Sequence, residues 1–289
     1  QLALAHYRRI SGMLRTSELT AEPANAELSL TEADLFPASH ASPRSTRFLE
    51  YYSLHGVELA LERYGVFDRL RKKGYDDLTL EFELDDPSGQ SLRLRTRGKP
   101  SESLAELKVR RERRLFAGLE LLAVEWLLLQ DPRAVASRGR VALPGQDHPG
   151  LGMLREVSAL LILICERLGL DGLLIVPSHY HIAALTTGHC RFVDPADQAR
   201  FEALREALAG SRLAEAARAI EEGRVVDLDS AEPFRWKPAP MVLPFSDRLK
   251  EMLEARRPAG QTPPQGKGFA YRLLARTNHD PTAATTNLR

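Results

Sequence analysis

Hydrophobic and polar positions alternate most legibly over residues 78–97. Leu78, Leu80, Phe82 and Leu84 interleave with Thr79, Glu81, Glu83 and Asp85; Leu92 and Leu94 interleave with Arg93, Arg95 and Arg97. A period of two marks a half-buried strand. The intervening Asp-Pro-Ser-Gly is a turn in which proline presets φ and glycine tolerates a positive one. Folding about it sets an acidic row against a basic row on one face and gathers the leucines and Phe82 on the other. "LAELKVRR" repeats the pattern, so residues 77–110 predict a three-stranded antiparallel meander with one wet face.

Elsewhere the period is helical. "RFLEYYSLHGVELALERYGVFDRLRKKGY" predicts a helix pair, broken near Gly65 and stopped by Gly74 after a basic last turn. "RRLFAGLELLAVEWLLLQDP" is apolar almost all round, with Glu120 and Glu125 the exceptions, and predicts a central core helix over 112–130. A short strand at 141–145 then leads into a glycine-rich loop, a helix over about 150–168, and "LDGLLIVP", a run typical of a strand buried on both faces. Strand, loop, helix, strand is a βαβ unit whose strands run parallel. "ADQARFEALREALAG" and "RLAEAARAIEEG" predict two helices with Gly210 and Gly223 at their stops. "SDRLKEMLEARR" predicts a last helix capped by Ser246.

The organisation this gives is a short helix and loosely held lead-in over 1–46, one domain over 47–257, and a Pro-, Gln-, Gly- and Thr-rich tail over 258–289 expected to be disordered. Within the domain, 47–130 carries the helix pair, meander and core helix, 138–195 the βαβ unit, and 196–257 the C-terminal helices and strands. The fold class is α/β (α+β): a mixed sheet with an antiparallel N-terminal meander, a βαβ unit and helices on both faces.

Composition narrows the partners. Lys plus Arg is 40 and Asp plus Glu 39, so no global field recruits nucleic acid or an anionic membrane, and neither is expected as a partner. The densest apolar run, "ALLILIC", is flanked by Glu156 and Glu166 and falls short of a membrane span. Two cysteines, Cys165 and Cys190, make no disulfide framework; with no signal peptide visible, a reducing, cytoplasmic location is the expectation.

The chemistry concentrates in "LPGQDHPGLGMLRE", residues 143–156. Gly150 and Gly152 fall where the first turn of a helix exposes unpaired amides, and with the helix dipole those amides attract an anion. A sharp turn alone also explains the glycines. "PSHYHIAALTTGHC" adds His179, His181, His189 and Cys190 after the second strand of the βαβ unit, with His148 in the glycine loop. The carboxyl edge of such a sheet is where ligands bind. An imidazole there serves as a general base for an amine or as a metal ligand, although no recognised zinc spacing is present. Ordinary capping hydrogen bonds explain the same residues. "KVRRERR", residues 108–114, is a solvated rim or a phosphate contact.

The stretch from "RVALPGQDHPGLGMLRE" through "TTGHCRF" resembles the acetyl-CoA-binding half of the GCN5-related N-acetyltransferase (GNAT) superfamily. That family has a strand, a Q/R-x-x-G-x-G/A loop around the pyrophosphate, a helix and a second strand. The meander and its preceding helix pair suit the family's first half. The resemblance implies an acyltransferase that takes acetyl-CoA or another acyl-CoA as co-substrate, with no metal. Gln146, Gly150, Leu151, Gly152 and Met153 would bind the cofactor. His181 or His148 would deprotonate a small-molecule or peptide amine, with Tyr180 as the acid. Three departures are visible. Asp147 stands where the family has Gln or Arg, Thr186 and Thr187 lie where it has a tyrosine, and the expected helix over 112–130 interrupts a direct run from strand to loop. They leave open a non-catalytic binding or regulatory module on the same scaffold, or a metal-dependent hydrolase built on the histidines.

Overall fold

The structure, a computed structural model, describes residues 2–22, 46–134, 144–145, 147–256 and 269–275. It divides into two compact units: one comprises the chain to Val176 together with Met241–Ala255, the other Pro177–Pro240 and the chain from Arg256.

The first unit opens with α1 (Leu2–Met13), α2 (Thr16–Thr20), α3 (Leu54–Arg63) and α4 (Val66–Arg71). Tyr7, Ile10, Leu14 and Leu19 are buried, so the N-terminal helices belong to the core, not to a loose lead-in; the remainder of that lead-in lies outside the described residues. Ser53 caps α3 by accepting from the Gly56 amide at 3.0 Å, and its hydroxyl donates to the Ala21 carbonyl at 2.6 Å, which ties α2 to α3. Gly56 is the contact point: a Cβ there would stand 2.1 Å from the Leu19 carbonyl oxygen.

The meander forms as its alternation predicts. β1 (Leu78–Glu83), β2 (Gln90–Thr96) and β3 (Ser103–Glu112) pair antiparallel, with Leu80 opposite Leu94, Phe82 opposite Leu92 and Glu81 opposite Arg93. The charged rows meet as foreseen: Arg93 bonds Glu106 at 2.7 Å and lies 3.9 Å from Glu83.

The apolar run expected as a core helix is a strand, β4 (Leu121–Leu129), antiparallel to β3. Nearly continuous hydrophobicity fits a strand with a neighbour on each side as well as it fits a buried helix, and the pairing partners decide. After β4 come α5 (Leu154–Leu168) and β5 (Gly172–Ile175), and β5 pairs with β4 in parallel. The βαβ unit is therefore real, but its first strand is β4. Most of the expected strand at 141–145 lies outside the described residues, and Pro144–Gly145 is a turn.

The second unit contains α6 (Tyr180–Thr186), β6 (Arg191–Phe192), α7 (Pro195–Ala207), α8 (Leu213–Glu221) and β7 (Val225–Asp227). The chain then returns to the first unit as β8 (Met241–Pro244), antiparallel to β5, and α9 (Asp247–Ala255). Within the first unit the strands thus run β1-β2-β3-β4-β5-β8, a mixed α+β sheet whose one parallel pair is β4–β5. In the second unit Phe201 is the aromatic centre, 5.4 Å from Phe192 and 5.8 Å from Tyr180. Part of the tail expected to be disordered forms β9 (Tyr271–Leu273), paired antiparallel with β7. Apart from 269–275, that tail lies outside the described residues.

A chamber of about 140 Å³ lies between β2–β4 and helices α1, α3 and α5. Among the described residues no helix is long and apolar enough to cross a membrane.

Candidate functional site

β4 and β5 pair only from Leu121–Gly172 to Val124–Ile175, after which β4 continues to Leu129 without its parallel partner. The β3–β4 register shifts at the same level: Lys108 faces Trp126 and Val109 faces Val124, leaving Glu125 as the extra residue of a bulge. A bulge bends its strand and turns side chains, and bulges concentrate next to active sites. Glu125 and Trp126 are exposed, Trp126 by 50 %, and Val176 at the end of β5 by 51 %. β4 therefore runs on past the end of β5 with part of its length exposed.

The glycine loop takes over the edge that β5 leaves. The Leu151 amide donates to the Leu129 carbonyl at 3.2 Å, the Asp131 amide to the Pro149 carbonyl at 2.8 Å, and Gln130 and Gly150 form an antiparallel bridge. Buried Asp131 in turn accepts from the Tyr75 hydroxyl at 2.7 Å and pairs with Lys73 at 3.3 Å, which anchors the end of β4. The Leu151 and Met153 side chains are plugs into the core, 1 % and 3 % exposed, while Gly150 and Gly152 between and beside them stay exposed.

Among the described residues, little stands over those glycines. A Cβ on Gly152 would meet nothing within 4 Å, and one on Gly150 only the Leu129 carbonyl oxygen at 3.8 Å. Gly152 also needs its lack of a side chain, because its φ is +76°. Met153 occupies the N-cap of α5 without a side-chain cap, and the amides of Gly152 through Glu156 have no backbone acceptor among the described residues. Arg155 in the first turn is exposed and makes no hydrogen bond or ion pair among them. A cation at a helix N-terminus opposes the dipole, so an anion bound there would relieve both. Glu156 points away and pairs with Arg69 of α4.

The structure therefore assembles Gly150, Leu151, Gly152 and Met153 on one loop, with half-buried His148 just ahead of them. Gln146 lies outside the described residues. Tyr180 and His181 belong to the second unit and are buried, 5 % and 3 % exposed. His181 has no partner for Nδ1; burial, with His179 centred 5.4 Å away, pulls its pKa down to about 4. Burial pushes the Tyr180 phenol up. His179 bonds Ser178 at 2.9 Å, and Cys190, beside His189, is a buried free thiol pushed up to about 12. Among the described residues no three His, Cys, Asp or Glu side chains converge to hold a metal ion.

Three arginines of the run are paired with glutamates. Arg110 pairs with Glu112 and Glu125, Arg111 with Glu120 and Glu50, and Arg113 with Glu120. Sequence reasoning missed Trp126 and Glu125 as exposed residues of β4, because a helix over 112–130 placed them in the core. The coincidence of bulge and lost pairing has no signature in a single sequence.

Fold and site together define an α+β protein in which a glycine loop and a helix N-terminus without a side-chain cap meet the far end of β4, beyond the point where its parallel partner β5 ends. The chain matches no protein-family model and no curated protein.

Proposed function

We propose that the protein binds an acyl-CoA at the glycine loop and transfers the acyl group to an amine. The observation that carries this reading is the junction of β4, where it runs on past the end of β5, with a loop whose amides from Gly152 to Glu156 have no backbone acceptor among the described residues. A diphosphate would accept from those amides and from Arg155, while β4 beyond the end of β5 offers an extended thioester arm a backbone edge. The resemblance to GNAT acyltransferases gains support from the strand assignment of β4, since the apolar run that stood between strand and loop is itself the strand. His148, on the loop and half-buried, is the candidate base there; His181, its pKa pulled down to about 4 by burial, is a weak base at neutral pH.

Calorimetric titration with acetyl-CoA and longer acyl-CoAs tests the cofactor claim. Saturable binding is expected, and its absence for every thioester removes it. Gly150→Ala, sterically tolerated by the fold, should weaken binding at least tenfold without lowering the melting temperature. Unchanged affinity would reduce the loop to a turn.

A second reading, a non-catalytic binding module, is favoured by one observation: Tyr180 and His181 are both buried with pKa values moved away from neutrality. Binding of acyl-CoA with no acyl transfer to a panel of amines would select it.

A further inference from the structure

The chamber behind the meander is lined mostly by aliphatic side chains, with Phe48, Tyr52 and Tyr64 beside them, and its two charged ones are hydrogen-bonded. Arg167 donates to the Ser11 carbonyl at 2.6 Å, the Ser11 hydroxyl at 3.0 Å and the Leu14 carbonyl at 3.3 Å, and Glu106 accepts from Arg93 at 2.7 Å. Packing elsewhere on the same strands is tight: Leu104, Val109 and Leu122 are fully buried. Leu92, Leu107, Leu127 and Leu129, which line the chamber, stay only half-buried. The unfilled volume thus lies beside tightly packed positions of the same strands, unlike a core packed loosely throughout.

We propose that this chamber is a binding site for an uncharged hydrocarbon group, a ring or short chain of about benzene size. The size follows from its volume of about 140 Å³, since an apolar cavity of roughly 150 Å³ stays dry and takes up benzene. The preference for an uncharged group follows from the apolar lining and from the prior use of its ionic groups: the Arg167 guanidinium already donates to the Ser11 and Leu14 carbonyls and the Ser11 hydroxyl, and Glu106 is paired with Arg93. Two sources supply such a group: a free apolar small molecule, or the end of an acyl chain carried by a larger donor. The site stands on the chamber alone and does not depend on the glycine loop.

The test is methyl NMR of the full chain labelled at Leu, Val and Ile, titrated separately with benzene, 1-hexanol, hexanoate, CoA and hexanoyl-CoA. Benzene and hexanol should give saturable shifts at Leu107, Leu127, Val157 and Ile164, with hexanoate binding at least tenfold more weakly. Shifts at the same methyls with hexanoyl-CoA but not CoA identify a donor's acyl chain as the source; shifts with the free probes alone identify a small molecule. Ala105→Ile and, independently, Ala60→Leu project extra carbons into the chamber and should abolish probe binding while holding or raising the melting temperature. No saturable shift in the wild type with any apolar probe, or unchanged binding in whichever filled variant folds, overturns the proposal. The hexanol arm uses no CoA, so its outcome is separable from that of the acyl-CoA reading.

Discussion

Gly56 and His181 show how single residues fix this structure. At Gly56 the backbones of α2 and α3 approach so closely that an added Cβ would lie 2.1 Å from a carbonyl oxygen, and backbone on both sides leaves no flexible group to yield. Gly56→Ala should therefore destabilise by about 3 kcal/mol or more, far beyond the ordinary effect of alanine in a helix. Denaturant unfolding reads this directly, and a loss under 1 kcal/mol would show that the helices can part. His181 links stability to pH. Its pKa falls from 6.5 unfolded to about 4 folded, so between those values the unfolded chain binds the extra proton. Its contribution is complete above pH 6.5 and declines as pH falls toward 4, by a few kcal/mol at roughly 1.4 kcal/mol per unit. Replacing it, His181→Gln, should flatten the acid limb of the stability profile between pH 6.5 and 4. A limb of unchanged slope would mean that the imidazole protonates in place.

At the scale of elements, the meander was legible because Glu81, Arg93 and their neighbours alternate with leucines that need one dry face. The glycine loop was legible because positive φ and bare amides demand glycine. β4 was not legible. A nine-residue apolar strand carries no period of two when neighbours and layers cover it, and its identity depends on β3 and β5, which are remote in sequence. The exposed bulge at Glu125 and Trp126 was hidden for the same reason. β9 was masked by composition, since three ordered residues sit within a stretch rich in Pro, Gln and Gly. Tyr271 packs edge-on against Phe234 at 5.0 Å and is 9 % exposed. A chain ending at Arg256 should accordingly lose roughly 2–4 kcal/mol from the second unit, the sum of a buried aromatic side chain and its ring pair. Thermal unfolding of the truncated chain checks it, and an unchanged transition would make the β7–β9 pairing incidental.

Across the whole molecule, near-neutral charge and mutually paired arginines leave no broad field to gather a ligand, so recognition falls to local geometry. That geometry is concentrated in the first unit, where β4 carries the bulge and the end of the β4–β5 pairing and meets, at its far end, the loop that leads into α5. Amide hydrogen exchange, followed with and without CoA, measures the point of convergence directly. Exchange at Gly152 to Glu156 should slow at least tenfold on addition of CoA, with Trp126 emission shifting at the same concentrations. Exchange there that stays as fast with saturating CoA as without it would contradict the account.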